Sequence, residues 1–331
     1  MLTAPTARLA VILGLLVTVA AAWAAPMTWT LGGYVQARFT EDFGTLGTGD
    51  NVVDNPSSFR AVRPSLVIRA FDGEHVYLQF FFSVPTADND VEVQHAFAEY
   101  QVKPFYARLG LSPIPFGYEN PVTSAALVTT ERSQVSNTLI GPFALDRGLF
   151  AFYLPTAVGK FNVSAGAVNG EPYTVNSDSN TTKTIVGRVG YYLTGGEVGL
   201  SIYEGVGPNG ATMDRVGADV RLTRAPFTVI AEYIAGTTGT LISENIVDVD
   251  ANGFYITLAY RQAGSDWMPY IRYDAFDRNE NAGGDFFSRG TGGVSYYLNP
   301  TSKLQAEFET INDGVNPDLD GRFTAQYQII F

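Results

Sequence analysis

The final segment of the chain, GRFTAQYQIIF, alternates strictly between apolar and polar residues. Side chains of a β-strand point to opposite faces with a period of two, so this pattern predicts a strand with one apolar and one polar face. The apolar face carries Phe323, Ala325, Tyr327, Ile329 and Phe331, and the polar face carries Arg322, Thr324, Gln326 and Gln328.

Similar alternation recurs along the chain and predicts sixteen strands. They cover residues 28–39, 60–71, 75–84, 91–102, 105–112, 145–154, 160–168, 184–193, 197–204, 215–222, 227–235, 253–261, 268–276, 289–298, 303–311 and 321–331. Most are close to the roughly 9–11 residues that cross a bilayer as a tilted strand.

Short and long connections alternate between these strands. The short ones are DGEH, KP, PTAVG, TGG, TRAP, QAGSDW and NPTS, and the long ones are residues 40–59, 113–144, 169–183, 236–252, 277–288 and 312–320. Short periplasmic turns and long external loops are typical of a transmembrane β-barrel.

A barrel of sixteen strands encloses an interior too wide for side chains to fill. The polar face must therefore line water and the apolar face must contact lipid. A closed barrel also leaves no unpaired strand edge in the hydrocarbon. The sequence thus predicts an all-β fold, a transmembrane antiparallel barrel, with Tyr327 and Phe331 at the boundary between lipid and water.

The N terminus has the pattern of a cleaved secretory signal. Arg8 precedes an apolar run too short to span a membrane, and Ala22-Trp23-Ala24 is a small-x-small cleavage pattern. We expect residues 1–24 to be removed and residues 25–331 to form a single barrel domain. The net charge of −12 argues against general nucleic-acid binding, and the absence of cysteine excludes disulfides and thiolate metal sites.

The longest connection, the third loop at residues 113–144, is rich in apolar side chains. A connection of this length in a compact domain is usually either functional or disordered, and this composition does not favour disorder. The inside of a wide barrel offers a surface on which its apolar residues can pack. We expect the loop to fold inward and narrow the pore; the alternatives are an external plug or a contact between subunits.

The sequence RLGLSPIPFGYENPVTSAALVTTERS, with HAFAEYQV before it and DRG after it, resembles the phosphate-selective porin O and P family over roughly residues 60–155. The positions that carry the resemblance are Pro115, Phe116, Gly117, Glu119, Thr123, Ser124, Glu131, Arg132 and Ser133. In this loop Arg132 is the only cation, whereas anion-selective members of the family line the constriction with Arg and Lys.

The resemblance implies a sixteen-stranded channel in the outer membrane of a Gram-negative-type bacterium, surrounded by membrane lipid and lipopolysaccharide. It further implies a homotrimer, a third loop that folds into the lumen, and a C-terminal aromatic residue, here Phe331, that is read by the barrel-assembly machinery. Small ions and solutes would be the partners that pass through.

Alternation also assigns charged residues to the inner face. The arginines are Arg38, Arg63, Arg69, Arg108, Arg147, Arg188, Arg215, Arg221, Arg272, Arg289 and Arg322, and the acids are Glu99, Asp219, Glu232, Asp274, Glu307 and Glu309. In the constriction loop the candidate residues are Phe116, Tyr118, Glu119, Glu131 and Arg132. Charges that line a pore set its ion preference, although the arginines could instead pair with carboxylates and loop carbonyls to brace the wall.

Acidic residues cluster in the predicted long loops, where they would repel anions, give solubility or bridge divalent cations. They are Glu41, Asp42, Asp50, Asp54, Asp88, Asp90, Glu244, Asp248, Asp250, Asp313, Asp318 and Asp320.

The sequence carries no pattern for a chemical reaction. His75 and His95 are too few and too isolated for a metal cluster, and neither is matched to a nucleophile. We therefore expect no enzymatic activity, no metal and no cofactor, but a porin for passive diffusion, with selectivity set by the third loop and the inward arginines. The alternative is a structural or adhesive barrel with cation-binding acidic loops and a closed lumen.

Overall fold

The computed structural model describes residues 27–43, 57–83, 91–141, 144–171, 178, 180–207, 210–242, 245–281, 286–314 and 320–331. Within these ranges, the side chains of residues 57–64, 240–242 and 245–246 are not described. The predicted signal peptide, residues 1–24, lies outside the described residues.

Sixteen antiparallel strands form a closed barrel in which each strand pairs with its neighbours in sequence and β1 pairs with β16. The strands are β1 (Thr28–Phe43), β2 (Ser57–Phe71), β3 (Val76–Ser83), β4 (Glu92–Val102), β5 (Phe105–Pro113), β6 (Leu145–Tyr153), β7 (Phe161–Val168), β8 (Thr184–Leu193), β9 (Gly196–Val206), β10 (Thr212–Arg224), β11 (Phe227–Ile242), β12 (Asn245–Tyr260), β13 (Trp267–Asp277), β14 (Phe286–Asn299), β15 (Ser302–Asn312) and β16 (Asp320–Ile330). The predicted fold class and strand number are confirmed.

The C-terminal segment closes the barrel. The alternating residues of β16 pair along β1 from Ile330 opposite Tyr34 to Gly321 opposite Phe43. Beyond the strand, Phe331 and Gly33 exchange two backbone hydrogen bonds, each 3.0 Å long. The terminal residue therefore completes the ladder that leaves no free edge.

The inner and outer faces of the barrel differ as the alternation predicts. In β15 the outward Leu304 and Phe308 are exposed, whereas the inward Gln305, Glu307 and Glu309 are buried by neighbouring lumenal groups. Large apolar side chains exposed on one face of nearly every strand form the surface that a bilayer would cover.

Two predicted boundaries are wrong. Residues 236–252 do not form a long loop, because β11 and β12 extend through them and pair as far as Ile242 opposite Asn245. Likewise Thr40–Phe43 belong to β1, so the connection to β2 is shorter than expected. Several acids assigned to loops therefore sit in strands: Glu41, Asp42, Asp248, Asp250 and Asp320.

The two short helical turns, Ser124–Ala126 and Ser136–Ile140, both lie in the third loop. Across the described part of the chain, the helices are too short and too polar to span a membrane.

Candidate functional site: the pore constriction

The described part of the third loop, residues 113–141 and 144, contacts the inner wall of the barrel. Its apolar residues Ile114, Phe116, Leu139 and Ile140 are buried in one cluster with inward residues of the wall. The wall residues of this cluster are Phe150, Val168, Val186, Tyr203, Met213, Ile230, Ile234, Ala251, Tyr255, Phe276, Phe287 and Ile311. Burial of these side chains supplies most of the driving force that holds the loop inside the barrel.

Polar side chains of the wall bind backbone carbonyls of the loop. In each pair the wall side chain donates and the loop carbonyl accepts: Gln36 to Ser124, Gln328 to Ala125, Lys303 to Leu127, Gln305 to Val128, Arg38 to Thr130, Arg289 to Arg132 and Arg215 to Leu139. These bonds satisfy carbonyls that would otherwise be buried without a partner. They come from β1, β10 and β14–β16, so that side of the wall carries the loop.

The Pro-Phe-Gly-x-Glu segment is the tightest part of this contact. Gly117 adopts a φ of +65°, and a Cβ atom at this position would collide with the carboxylate of Glu232. Its backbone N–H donates to Ser201 Oγ at 2.9 Å. Glycine is therefore required here both by the left-handed backbone and by the close approach of the wall.

Glu119 ties the loop to itself and to β13. Its Oε2 accepts hydrogen bonds from the backbone N–H and the hydroxyl of Ser133, both at 2.8 Å, and its Oε1 lies 3.1 Å from Arg272 Nη1. Arg272 also lies 3.2 Å from Asp274, and the Arg289 guanidinium lies 2.9 Å from the same carboxylate. All these side chains are buried, so the network locks the loop against β13 and β14.

A second polar contact links the loop to β15 and β1. The Glu307 carboxylate accepts hydrogen bonds from the backbone N–H and hydroxyl of Thr130 and from the Tyr270 hydroxyl. Arg38 forms an ion pair with Glu131. Glu131 keeps 45% of its side-chain surface exposed, so it presents charge to water while its partner is buried.

The five candidate residues of the constriction loop thus divide into two groups. Phe116 and Glu119 are buried and hold the loop in place. Tyr118, Glu131 and Arg132 keep exposed surface, although Arg132 also donates to the carbonyls of Asn120 and Val122. Burial raises the pKa of the Tyr118 phenol above its usual value, with Arg221 partly opposing the shift, so the hydroxyl is protonated at neutral pH.

Between the loop and the opposite wall lies a cavity of about 180 Å³. On the loop side it is lined by Thr123 and Arg132, and on the wall side by Tyr34, Phe81 and His95. This cavity therefore has an arginine on its loop side and aromatic rings of β1, β3 and β4 on its wall side.

Further inward arginines lie on β2, β5, β8 and β10. Arg108 pairs with Glu99, and Arg188 pairs with both Asp219 and Glu197. The remaining members of this set are Arg69 and Arg221. Arg69 donates to Gln79 at 3.2 Å, and both Arg69 and Arg221 are exposed residues with no ion pair to a described carboxylate.

One predicted pore residue is placed on the wrong face. Arg147 lies opposite Leu111 in the ladder and shares its face with Leu149, which is exposed to the lipid side. The inward residue is Asp146, which pairs in register with Ser112, itself the acceptor of a hydrogen bond from Arg108. The prediction for Arg147 is therefore wrong.

The remaining charged candidates lie on strands as follows. Arg322 pairs with Asp42 at the half-exposed end of β16, and Arg289 also contacts Glu309 at 3.2 Å. Glu232 is buried under the loop and accepts a hydrogen bond from Tyr255. Arg63 lies in β2 among the residues whose side chains are not described.

Among the described residues, the inward charges that the sequence reasoning missed include Asp146, Glu197 and Lys303. Lys303 has the same parity in β15 as Gln305 and Glu307, so alternation alone could have found it. Glu197 stands opposite Arg221 in the ladder, and the inward orientation of Asp146 needed the register of β5 and β6.

Comparison with known proteins agrees with this architecture. The family model described as "Phosphate-selective porin O and P" matches residues 195–315, a stretch different from the one that carries the sequence resemblance. No curated relative matches the chain by sequence.

Solved structures share the fold at low sequence identity. An anion-selective porin from Comamonas acidovorans is 14% identical with a TM-score of 0.69, and the alignment covers 92% of this chain and 100% of that one. A loop L8 deletion mutant of OmpT, an outer membrane protein of Vibrio cholerae, is 12% identical with a TM-score of 0.68, covering 92% and 99%. OmpT of Vibrio cholerae in a trimer form is 13% identical with a TM-score of 0.66, also covering 92% and 99%.

The resemblance to the porin O and P family and the predicted location in the outer membrane are thereby confirmed. The family match over residues 195–315 and the closed barrel together show that this chain is similar to outer-membrane porins.

Proposed function

We propose that this porin is a passive diffusion channel for small hydrophilic solutes and ions, in which the third loop sets the bore and inward arginines bias what passes. The observation that carries the proposal is the attachment of the loop to one side of the lumen, through the buried pair of Glu119 and Arg272 and the apolar cluster around Phe116. A loop held in this way narrows the lumen at a fixed width. Transport then involves no chemical step, only size exclusion and electrostatics.

The charge of the passage favours anions. Most inward arginines are matched by carboxylates or bind loop carbonyls, so they add little net field. Arg69 and Arg221 reach water without an ion pair to a described carboxylate. Unmatched cations at a low-dielectric wall concentrate anions near them, and we therefore infer a modest anion preference.

The partners follow from the same proposal. We infer contact with membrane lipid and lipopolysaccharide around the apolar outer face, and recognition of Phe331 by the barrel-assembly machinery. A homotrimer is supported by the trimer form of a structural neighbour and by an outward apolar hollow of about 680 Å³. Small residues of β1, β15 and β16, namely Ala37, Ala306 and Ala325, line this hollow, and light scattering of the purified protein in detergent tests the trimer.

Single-channel current in a planar bilayer tests the proposed function. Folded protein should give stepwise conductance in KCl, and a salt gradient should give a reversal potential of the sign that indicates anion preference. Cation preference would refute the assignment of Arg69 and Arg221. Absence of conductance from protein shown to be folded would refute the channel and favour a structural barrel with a closed lumen.

A matched pair of variants makes this experiment specific. Arg221→Gln removes an inward cation near the periplasmic end of β10, and Arg224→Gln removes an exposed cation three residues later on the opposite face of the strand. We expect only the first variant to shift the reversal potential toward zero. Equal shifts would mean that the effect arises from the surface charge of the barrel end.

A further inference from the structure

A cavity of about 250 Å³ lies beneath the third loop, at the periplasmic end of β10–β16. Its roof is formed by loop residues that include Tyr118, Leu127 and Val128. Its wall is formed by inward residues that include Arg221, Ile230, Met268, Tyr297 and Lys303. One part of the lining is thus apolar, and the other carries two cations and two phenols.

Lys303 is the unusual member of this lining. It is only 5% exposed, yet its ammonium group has one hydrogen-bond acceptor among the described residues, the Leu127 carbonyl at 3.3 Å. An ammonium has three donors, and a buried charge is costly unless it is paired and hydrogen-bonded. The ammonium group therefore keeps donors that a bound anion could accept.

The carboxylates closest to the cavity have other partners. Glu307 accepts hydrogen bonds from Thr130 and Tyr270, and Asp219 is paired with Arg188. Glu197, which stands opposite Arg221 in the ladder, is also paired with Arg188. Among the described residues, the cavity lining itself contains no carboxylate.

The cavity opens toward the periplasmic half of the lumen, because its lining includes turn residues Pro300 and Thr301 together with Arg221, which is exposed. A solute in the passage can therefore reach it without displacing the loop. Tyr297 lies directly opposite Lys303 in the ladder, and both residues line the cavity.

We propose that this cavity is a binding subsite for monocarboxylates with an apolar body of about the size of one ring. The carboxylate lies between Lys303 and Arg221, and the apolar body contacts Leu127, Val128 and Ile230. The proposal deepens the porin function and rests on it, since it names a solute class that the channel retains on the way through.

Size and chemistry both favour this class. An engineered cavity of about 150 Å³ holds benzene, so about 250 Å³ leaves room for a ring and a carboxylate. A compact inorganic anion would lose hydration against the apolar part of the lining without compensation. A neutral ring would leave the buried ammonium without a counter-charge.

Benzoate block of the KCl current tests the subsite. Benzoate, acetate and benzamide are added in turn to each side of a bilayer that holds one conducting channel. We expect benzoate to reduce the current in a saturable way and from the periplasmic side at lower concentration. Acetate lacks the apolar body and benzamide lacks the charge, so both should act about tenfold more weakly or worse.

Lysine and arginine variants locate the effect. Lys303→Met keeps the length of the side chain, and Arg221→Gln changes an exposed residue that forms no ion pair with a described carboxylate. Each variant should raise the benzoate concentration that gives half-maximal block by about tenfold or more, which is the effect expected for the loss of one hydrogen bond to a charged group. Lys160→Met removes an exposed cation at a periplasmic turn outside the cavity and should leave the block unchanged.

The outcomes separate this inference from the proposed function. A channel that conducts KCl but is blocked equally by all three solutes, or equally in all variants, overturns the subsite and leaves the porin intact. Calorimetric titration of benzoate into the folded protein in micelles needs no conductance. Saturable heat that is lost in Arg221→Gln supports the subsite even if no current is seen, and no heat with the unaltered chain overturns it.

Discussion

Glu119 Oε1 lies 3.1 Å from Arg272 Nη1, with both side chains almost fully buried, and this pair joins the third loop to β13 across 153 residues of sequence. Arg272 also donates to Thr129 Oγ1 at 2.8 Å and stacks over the Tyr255 ring. The guanidinium is therefore the point at which the loop and the barrel wall are most densely connected.

Replacement of Arg272 should loosen the loop and destabilise the barrel. Arg272→Met leaves Glu119 buried without its cation, whereas Asp274 keeps Arg289, and loss of one partner of a buried pair costs about 3–5 kcal/mol. The free energy of unfolding in urea measures the loss, and excess noise of the open-channel current reports loop motion. The matched control is Arg322→Met, whose pair with Asp42 is half-exposed and should cost about 0–1 kcal/mol. Equal losses would contradict a special role for Arg272.

Substitution of Gly117 should change the bore. In Gly117→Ala the new Cβ meets the carboxylate of Glu232, so either the loop or β11 must shift. Gly73→Ala is the control, since Gly73 also has a positive φ but has open space around it. Both variants carry a similar backbone cost of about 1–2 kcal/mol, and only the first should alter the polymer size that the channel excludes. If both variants exclude the same polymers as the unaltered chain, the steric explanation fails.

Arg69 should contribute to ion preference from the opposite side of the lumen. Its guanidinium reaches water and has Gln79 as a neutral partner, so Arg69→Gln removes a charge without leaving a buried carboxylate unpaired. We expect the reversal potential in a KCl gradient to move toward zero, and the shift to shrink as salt is raised because screening shortens the reach of the charge. An unchanged potential at low salt would show that Arg69 lies away from the ion path.

Phe331 should contribute to both closure and assembly, and two variants separate these roles. Deletion of Phe331 removes two backbone hydrogen bonds to Gly33, whereas Phe331→Ser removes only the ring. If the barrel-assembly machinery recognises the ring, both variants should have a low yield in the membrane. Only the deletion should also have a low yield of refolded barrel in detergent. The folded barrel and its heat-denatured form migrate differently in electrophoresis, so the fraction of folded barrel measures both membrane insertion and refolding in detergent. Normal membrane yield of Phe331→Ser would refute recognition of the ring.

The turn between β2 and β3 should depend on pH. Asp72 Oδ1 accepts backbone hydrogen bonds from Glu74, His75 and Val76 at 2.8–2.9 Å. Burial alone would raise the pKa of Asp72, but these N–H groups and the nearby His75 lower it below its ordinary value of 3.8.

A lowered pKa means that the carboxylate stabilises the turn fully above pH 3.8 and that this contribution is lost as the pH falls through the folded value. The protection factors of the turn amides, which are exchange rates corrected for the intrinsic pH dependence of amide exchange, should therefore fall in acid. Asp72→Asn should show lower protection factors at neutral pH and little further change on acidification. Protection factors that do not change with pH in the unaltered chain would contradict this account.

The sequence predicted the inner face well where the two faces differ in polarity. In β15, Gln305 and Glu307 alternate with Leu304 and Phe308, and the structure places them as expected. In β6 the rule gave the wrong face for Arg147, because Leu149 and Phe150 are both apolar and the alternation shows no contrast. The pairing of Asp146 with Ser112 and the burial of Phe150 under the loop settle the parity of that strand.

The contacts that hold the loop could not be predicted from the sequence, because each one joins residues that are far apart in the chain. Nothing local in Glu119 or Gly117 indicates that their partners are Arg272 and Glu232 on distant strands. The extension of β11 and β12 was missed because the polar residues after Ala235 resemble a loop, whereas mutual pairing makes them strand.

The wall side chains that suspend residues 124–128 all bind main-chain carbonyls: Gln36, Gln328, Lys303 and Gln305. Because every residue type supplies the same carbonyl, this anchorage does not depend on which side chains the segment carries. Substitutions at Ser124, Ala126 and Val128, whose side chains keep exposed surface, should therefore change the surface that a solute meets while the hydrogen bonds keep the segment in place, whereas Ala125 and Leu127 are buried.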